Sequence, residues 1–228
     1  MAHAYTAEYL ALKARLTSLA HLLPQQPAAG ATPSRQEADK MAAFVVLLHA
    51  ECEHFLEKRA LKVADDAKAV FDGGGNFGRV ARHLCVFPFI DAPKQKPDLD
   101  KMLRIFGTSG FGIMATTQSI TQNRTEYEKL LNIGYQRYKQ AVENNHGAAL
   151  KYQFKLLTAL GFDLDLVGAT FKSRIAQLAT YRGEAAHSSV VAATNTISPS
   201  TLATWPADLI DGFAKMDRGL SSLSTKNK

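Results

Sequence analysis

Between Ser34 and Gly75 apolar side chains at Met41, Phe44, Val45, Leu48, Cys52, Phe55, Leu56 and Leu61 keep a 3.6-residue period. That spacing gathers them on one side of a 3.6-residue helix and scatters them on any strand. Ser34 with Glu37 three residues on is a capping box, in which the hydroxyl accepts from the third helical N–H and the carboxylate reaches back to the Ser34 N–H. Gly73-Gly74-Gly75 supplies the stop. A helix of this length needs partners on which to bury its stripe, so it should be the centre of an all-α fold.

The rest of the chain fits that frame. Leu10, Leu12, Leu16, Leu19, Leu22 and Leu23 mark an amphipathic helix from about Ala4 to Leu23, and Pro24, Pro27, Gly30 and Pro33 mark a linker after it. Residues 76–118 read as a loop-rich insertion, with short helical pieces near Val80–Val86 and Leu99–Phe106 between prolines and glycines. Further helices are expected over Thr121–Asn144 and Ala148–Leu160, the second closed by Gly161. Another should run from a cap at Asp163 to Asp165 as far as His187, and a last one over Pro206–Leu223, with Pro206 early in its first turn. Nothing alternates as a strand and no repeat is found. The expected organisation is an N-terminal helix and Pro-rich linker over residues 1–33, a helical domain over 34–225 and a tail over 226–228.

Composition narrows the class. Apolar residues make up 46% and charged residues 21% of 228, the proportions of a chain that folds. Net charge is +6, unevenly placed: residues 121–182 hold nine Lys or Arg against five Asp or Glu, whereas 35–72 hold six against eight. A basic middle suits a polyanion, and also suits a solvated helix face. Two cysteines, Cys52 and Cys85, are too few for a disulfide framework and lack zinc-site spacing. No signal segment and no apolar run of about 18 residues is present, so a cytoplasmic chain without a membrane anchor is expected.

The stretch Arg182-Gly183-Glu184-Ala185-Ala186-His187 is the leading candidate for chemistry. Five positions turn a helix through about 500°, so the two side chains diverge. They border one cleft where a second helix crosses, and a two-fold axis through that crossing would gather two arginines and two histidines. His187 then suits a general base on a ribose 2′-hydroxyl, and Arg182 a clamp on the scissile phosphate. No cofactor or metal is required. Glu184 is placed to hold the imidazole in one tautomer, Glu51 and Glu53 to give polar support, and Lys151, Lys155, Lys172 and Arg174 to guide RNA. Tyr135 and Tyr138 are candidates for base stacking, although their helical spacing makes them core residues first. His49, Glu53 and Glu57 share a face at i, i+4 and i+8, without the spacing of a zinc protease. Gly73 to Arg79 follows a helix and lacks the Lys-Ser/Thr of a phosphate loop.

Arg-x4-His near the end of a helix, in a compact helical chain, resembles the motif of the HEPN superfamily. Phe44-Val-Val-Leu-Leu-His-Ala-Glu-Cys-Glu-His-Phe-Leu-Glu57, Asn145-His-Gly147 and Gly161-Phe162 resemble its RiboL-PSP-HEPN branch. The resemblance spans most of residues 35–225. It implies a HEPN-like helical bundle and a metal-independent, dimeric endoribonuclease in a defence, toxin–antitoxin or RNA-repair setting, with a cognate antitoxin or operon partner. A non-catalytic HEPN module binding RNA or protein is the second reading, and a purely structural helical dimer the third. Gly183 stands where active members often carry Asn or Asp. Ser189 stands where nucleotide-modified toxins carry tyrosine, which speaks against control by AMPylation.

Overall fold

The computed structural model describes residues 4–27, 32–91, 124–145, 147, 150–187 and 197–225. Among them the chain is all-helical: α1 Ala7–Leu19, α2 Arg35–Asp72, α3 Arg79–Asp91, α4 Arg124–Glu143, α5 Leu150–Thr158, α6 Ala169–His187 and α7 Pro199–Thr225. Single 3-10 turns cover Ala20–Leu22 and Leu164–Val167. The helical piece expected over Leu99–Phe106 lies outside the described residues.

Local chemistry sets most of these boundaries. The capping box forms as the sequence requires: the Ser34 N–H donates to Glu37 Oε2 at 2.7 Å and the Glu37 N–H to Ser34 Oγ at 3.3 Å. Two starts differ from expectation. The Asp163 to Asp165 stretch does not cap α6, because a 3-10 turn intervenes and Gly168, at φ +82°, redirects the backbone before Ala169. The last helix begins at Pro199, where Ser198 Oγ accepts from the Thr201 N–H at 3.1 Å. Pro206 therefore sits inside α7.

Two compact units make up the chain. The first takes residues 1–58, 146–153 and 164–218, and the second 59–145, 154–163 and 219–228. In the first, α1 buries Tyr9, Leu12, Leu16 and Leu19, so the N-terminal helix is part of a core. Thr6 caps it and also holds α7: its N–H and hydroxyl donate to the fully buried Asp217 at 3.0 and 2.7 Å. From α2 come Met41, Phe44, Val45, Leu48, Cys52, Phe55 and Leu56, from α6 Phe171, Ile175 and Leu178, and from α7 Leu202, Trp205, Leu209 and Phe213. Phe213 meets Phe55 and Phe171 edge-on, with ring centroids 5.1 and 4.9 Å apart.

In the second unit α3 packs on α4 so closely that a Cβ at Gly134 would lie 2.0 Å from the Leu84 carbonyl oxygen. Phe77 bridges Phe71 and Tyr127 at 5.2 and 5.0 Å. Burial of Arg82 is made tolerable by its Nε donating to the Phe77 carbonyl at 2.8 Å. Tyr138 is fully buried and donates to the Leu156 carbonyl at 3.0 Å, while Tyr135 donates to Asp65 at 2.6 Å. The Tyr138 ring therefore serves the core, whereas Tyr135 is half-buried with its hydroxyl tied to Asp65. Cys52 and Cys85 are buried free thiols, each pushed above the usual thiol range by desolvation.

Candidate functional site

Arg182 lies in the last two turns of α6, exposed to solvent, and His187 is the residue on which the helix closes. The His187 side chain lies outside the described residues, as do those of Lys151 and the chain from 188 to 196. Among the described residues no carboxylate pairs with Arg182. Glu184 is exposed, and Gly183 has nothing within 4 Å of where a Cβ would stand.

The charge of Arg182 is felt at His49. This histidine belongs to the buried side of α2, following Leu48 and one turn past Val45, and is 4% exposed. Its Nδ1 stands 3.7 Å from Glu53 Oε2. Gly147, at φ +155°, closes over the ring: a Cβ there would sit 3.6 Å from His49 Cε1 and 3.4 Å from the Tyr152 ring. Burial, and secondarily the Arg182 charge, push the His49 imidazole down to about 4. It is therefore neutral at pH 7. A neutral imidazole adds no cation to the field of Arg182.

The supporting residues separate. Glu53 lies at His49. Glu51 instead accepts from Arg15 Nε at 2.9 Å, tying α2 to α1. His54 is exposed and Glu57 half-buried. Three of the expected RNA contacts can be followed. Arg174 is committed within the fold: Nε and Nη2 donate to Asp208 Oδ2 at 2.9 and 2.7 Å, Nη1 to Gln177, and the guanidinium lies 5.1 Å from the Trp205 ring. Lys172 is bound to Asp165 at 2.6 Å. A cation already paired with a carboxylate releases fewer counterions on meeting a phosphate than a free one. Lys155 is exposed on α5.

On α6, Tyr181 just before Arg182 and Ala185 just after it line an apolar recess with Met41, Val45 and Leu202. Its walls offer almost no polar surface, so it is no phosphate site. No helix among the described residues is long and apolar enough to cross a membrane. The element missed in the sequence is His49 beside Arg182. A histidine at a stripe position is a faint signal, and no local pattern links residues 133 positions apart.

The arrangement can hold an anion against an exposed guanidinium at the end of a helix whose final residue is an imidazole. Comparisons with family models, with curated proteins and with solved structures return no match for this chain.

Proposed function

We propose that the chain is a HEPN-type, metal-independent endoribonuclease. The single observation that carries this reading is the placement of Arg182: exposed, without a carboxylate partner among the described residues, its charge felt by a neutral His49, and on a helix ending at His187. Arg182 binds the scissile phosphate and offsets the charge that grows as the phosphorane forms. His187 takes the proton from the ribose 2′-hydroxyl, whose oxygen attacks phosphorus. The bond from phosphorus to the 5′-oxygen breaks, that oxygen takes up a proton, and the products are a 2′,3′-cyclic phosphate and a 5′-hydroxyl. Two copies build a composite cleft from paired Arg182 and His187 side chains. Defence, toxin–antitoxin or RNA-repair settings, with an antitoxin or operon partner, go with this reading.

Gly183, where a polar residue would be expected beside the reacting groups, favours a second reading: a HEPN module that binds RNA or protein without cutting. Incubation of RNA with the protein in EDTA separates the two. Catalysis predicts that Arg182→Ala and His187→Ala each lower cleavage about 100-fold or more while the folded circular dichroism spectrum is kept. Cleavage that survives both changes, or that proceeds with deoxyribose at the cut, removes the mechanism.

A further inference from the structure

The apolar recess near the end of α6 lies wholly within the first unit. Met41, Val45 and Leu202 form its buried floor, and the half-buried Tyr181, Ala185 and Ile197 its rim. It holds about 250 Å³ of free space, part of it open to solvent. Pockets that enclose a whole drug-sized ligand start near roughly 300 Å³, so this one receives a part of its ligand and leaves the rest outside. Its walls have almost nothing polar to offer, so any edge that carries hydrogen-bonding groups must stay in water.

Arg182 stands directly beside this rim. With Ala185 it makes an i, i+3 pair, whose Cβ atoms lie about 5–6 Å apart on a helix surface. A phosphate held by the guanidinium is therefore one helical neighbour away from an apolar edge that includes an aromatic ring. That ring is already fixed: Tyr181 packs on Trp205 with centroids 5.8 Å apart, which leaves it little freedom to lose when a flat ligand stacks on it. A cation next to an aromatic face is how proteins hold unpaired nucleic acid, the cation taking the backbone and the ring taking a base.

We infer that the recess is a base subsite. An unpaired nucleobase of the nucleotide whose phosphate Arg182 holds lays one face on Tyr181 and over Ala185, Ile197 and Leu202, and keeps its edges in water. The inference rests on the reading of Arg182 as the phosphate-binding group and adds to it a substrate class, single-stranded RNA. Within a duplex both faces of a base are already stacked, so paired RNA should be refused. Every base has such a face and the walls read no edge, so the four bases should bind within about fivefold of one another. An aliphatic side chain of a peptide would fill the floor without using the ring, and the test separates the two.

Methyl resonances of Met41, Val45, Ile197 and Leu202 report on the recess without any cleavage. The probes are the 5′- and 3′-monophosphates of adenosine, uridine 5′-monophosphate, adenosine itself, and ribose 5-phosphate, which has no base. Uridine 5′-monophosphate and at least one adenosine monophosphate should shift these methyls, and ribose 5-phosphate should leave them in place. Adenosine should bind about tenfold more weakly than its monophosphate, and Arg182→Ala should erase that difference. Tyr181→Leu should weaken nucleotide binding about tenfold while Tyr181→Phe retains it. Ala185→Leu, which fills the rim and leaves the core as it is, should exclude the base and carries the test if Tyr181→Leu does not fold. Methyls that no nucleotide shifts overturn the inference, as do equal shifts with ribose 5-phosphate or nucleotide affinity untouched by Ala185→Leu. N-acetylleucinamide that shifts them where nucleotides do not marks a peptide site and overturns it too. RNA cleavage is scored separately. Nucleotide binding with RNA left intact keeps the subsite and loses the nuclease, and Arg182-dependent cleavage without methyl shifts does the reverse.

Discussion

Replacing Gly134 with alanine puts a methyl carbon 2.0 Å from the Leu84 carbonyl oxygen and 2.6 Å from its carbon, a full 1 Å inside the 3.0 Å that Cβ atoms respect. The obstacle is backbone, so no rotamer change relieves it. Helices α3 and α4 must separate by about 1 Å, and a gap of that size forfeits a quarter to a half of each dispersion contact across the crossing. Overpacking of this kind costs about 3 kcal/mol at its usual upper end, and the better helix propensity of alanine returns about 1 kcal/mol. The net loss is about 2 kcal/mol, which for a chain of 228 residues lowers the melting temperature by about 4–8 °C. The same methyl at Gly183, in open space on α6, meets nothing. It should raise stability by about 1 kcal/mol and the melting temperature by about 2–4 °C. Calorimetry and urea titration of the two variants read both signs. A Gly134→Ala protein as stable as the parent, or a Gly183→Ala protein less stable, refutes the packing argument.

Burial holds His49 and His83 neutral when folded, each pushed down to about 4 with Arg182 or Arg79 as the lesser cause, whereas an unfolded histidine protonates near pH 6.5. Between those values the unfolded chain binds the extra protons. Stability is therefore complete above about pH 6.5 and declines as pH falls towards 4, by up to about 1.4 kcal/mol per pH unit for each ring, and His49→Gln should flatten urea midpoints over that window. If the slope survives that substitution unchanged, the account of His49 is wrong. Arg174→Ala should lower stability by about 1–2 kcal/mol through loss of the Asp208 pair and the Trp205 stack, while RNA affinity by fluorescence anisotropy stays level. Weakened RNA binding at unchanged stability would return Arg174 to the RNA-guiding set.

Where a signal is local, the sequence carries it plainly. Ser34, Glu37 and the three glycines bound α2 through contacts no more than a few residues long, and the buried stripe from Met41 to Leu56 follows from periodicity alone. Competing local signals mislead. Pro206 is a strong start signal, yet Ser198 caps the helix eight residues earlier and the burial of Leu202 and Trp205 makes it worthwhile for the helix to run through the proline. Basic residues are visible in a sequence, but their partners are not. Nothing near Arg174 announces Asp208, and nothing near Arg182 announces His49, since each pairing is made by helices brought together only when the core closes.

The first unit draws on both ends of the chain, with Thr6 anchored on Asp217 across 211 positions. Synthesis runs from one end, so α1 and α2 emerge from the ribosome long before α7, which must complete their shared core. Until then Leu12, Leu16, Phe44 and Phe55 have no final cover, and such long-range closure is slow. The nascent polypeptide thus passes through an interval in which these apolar faces are exposed, and Arg182, on α6, takes its place in the first unit long after α2 has been made.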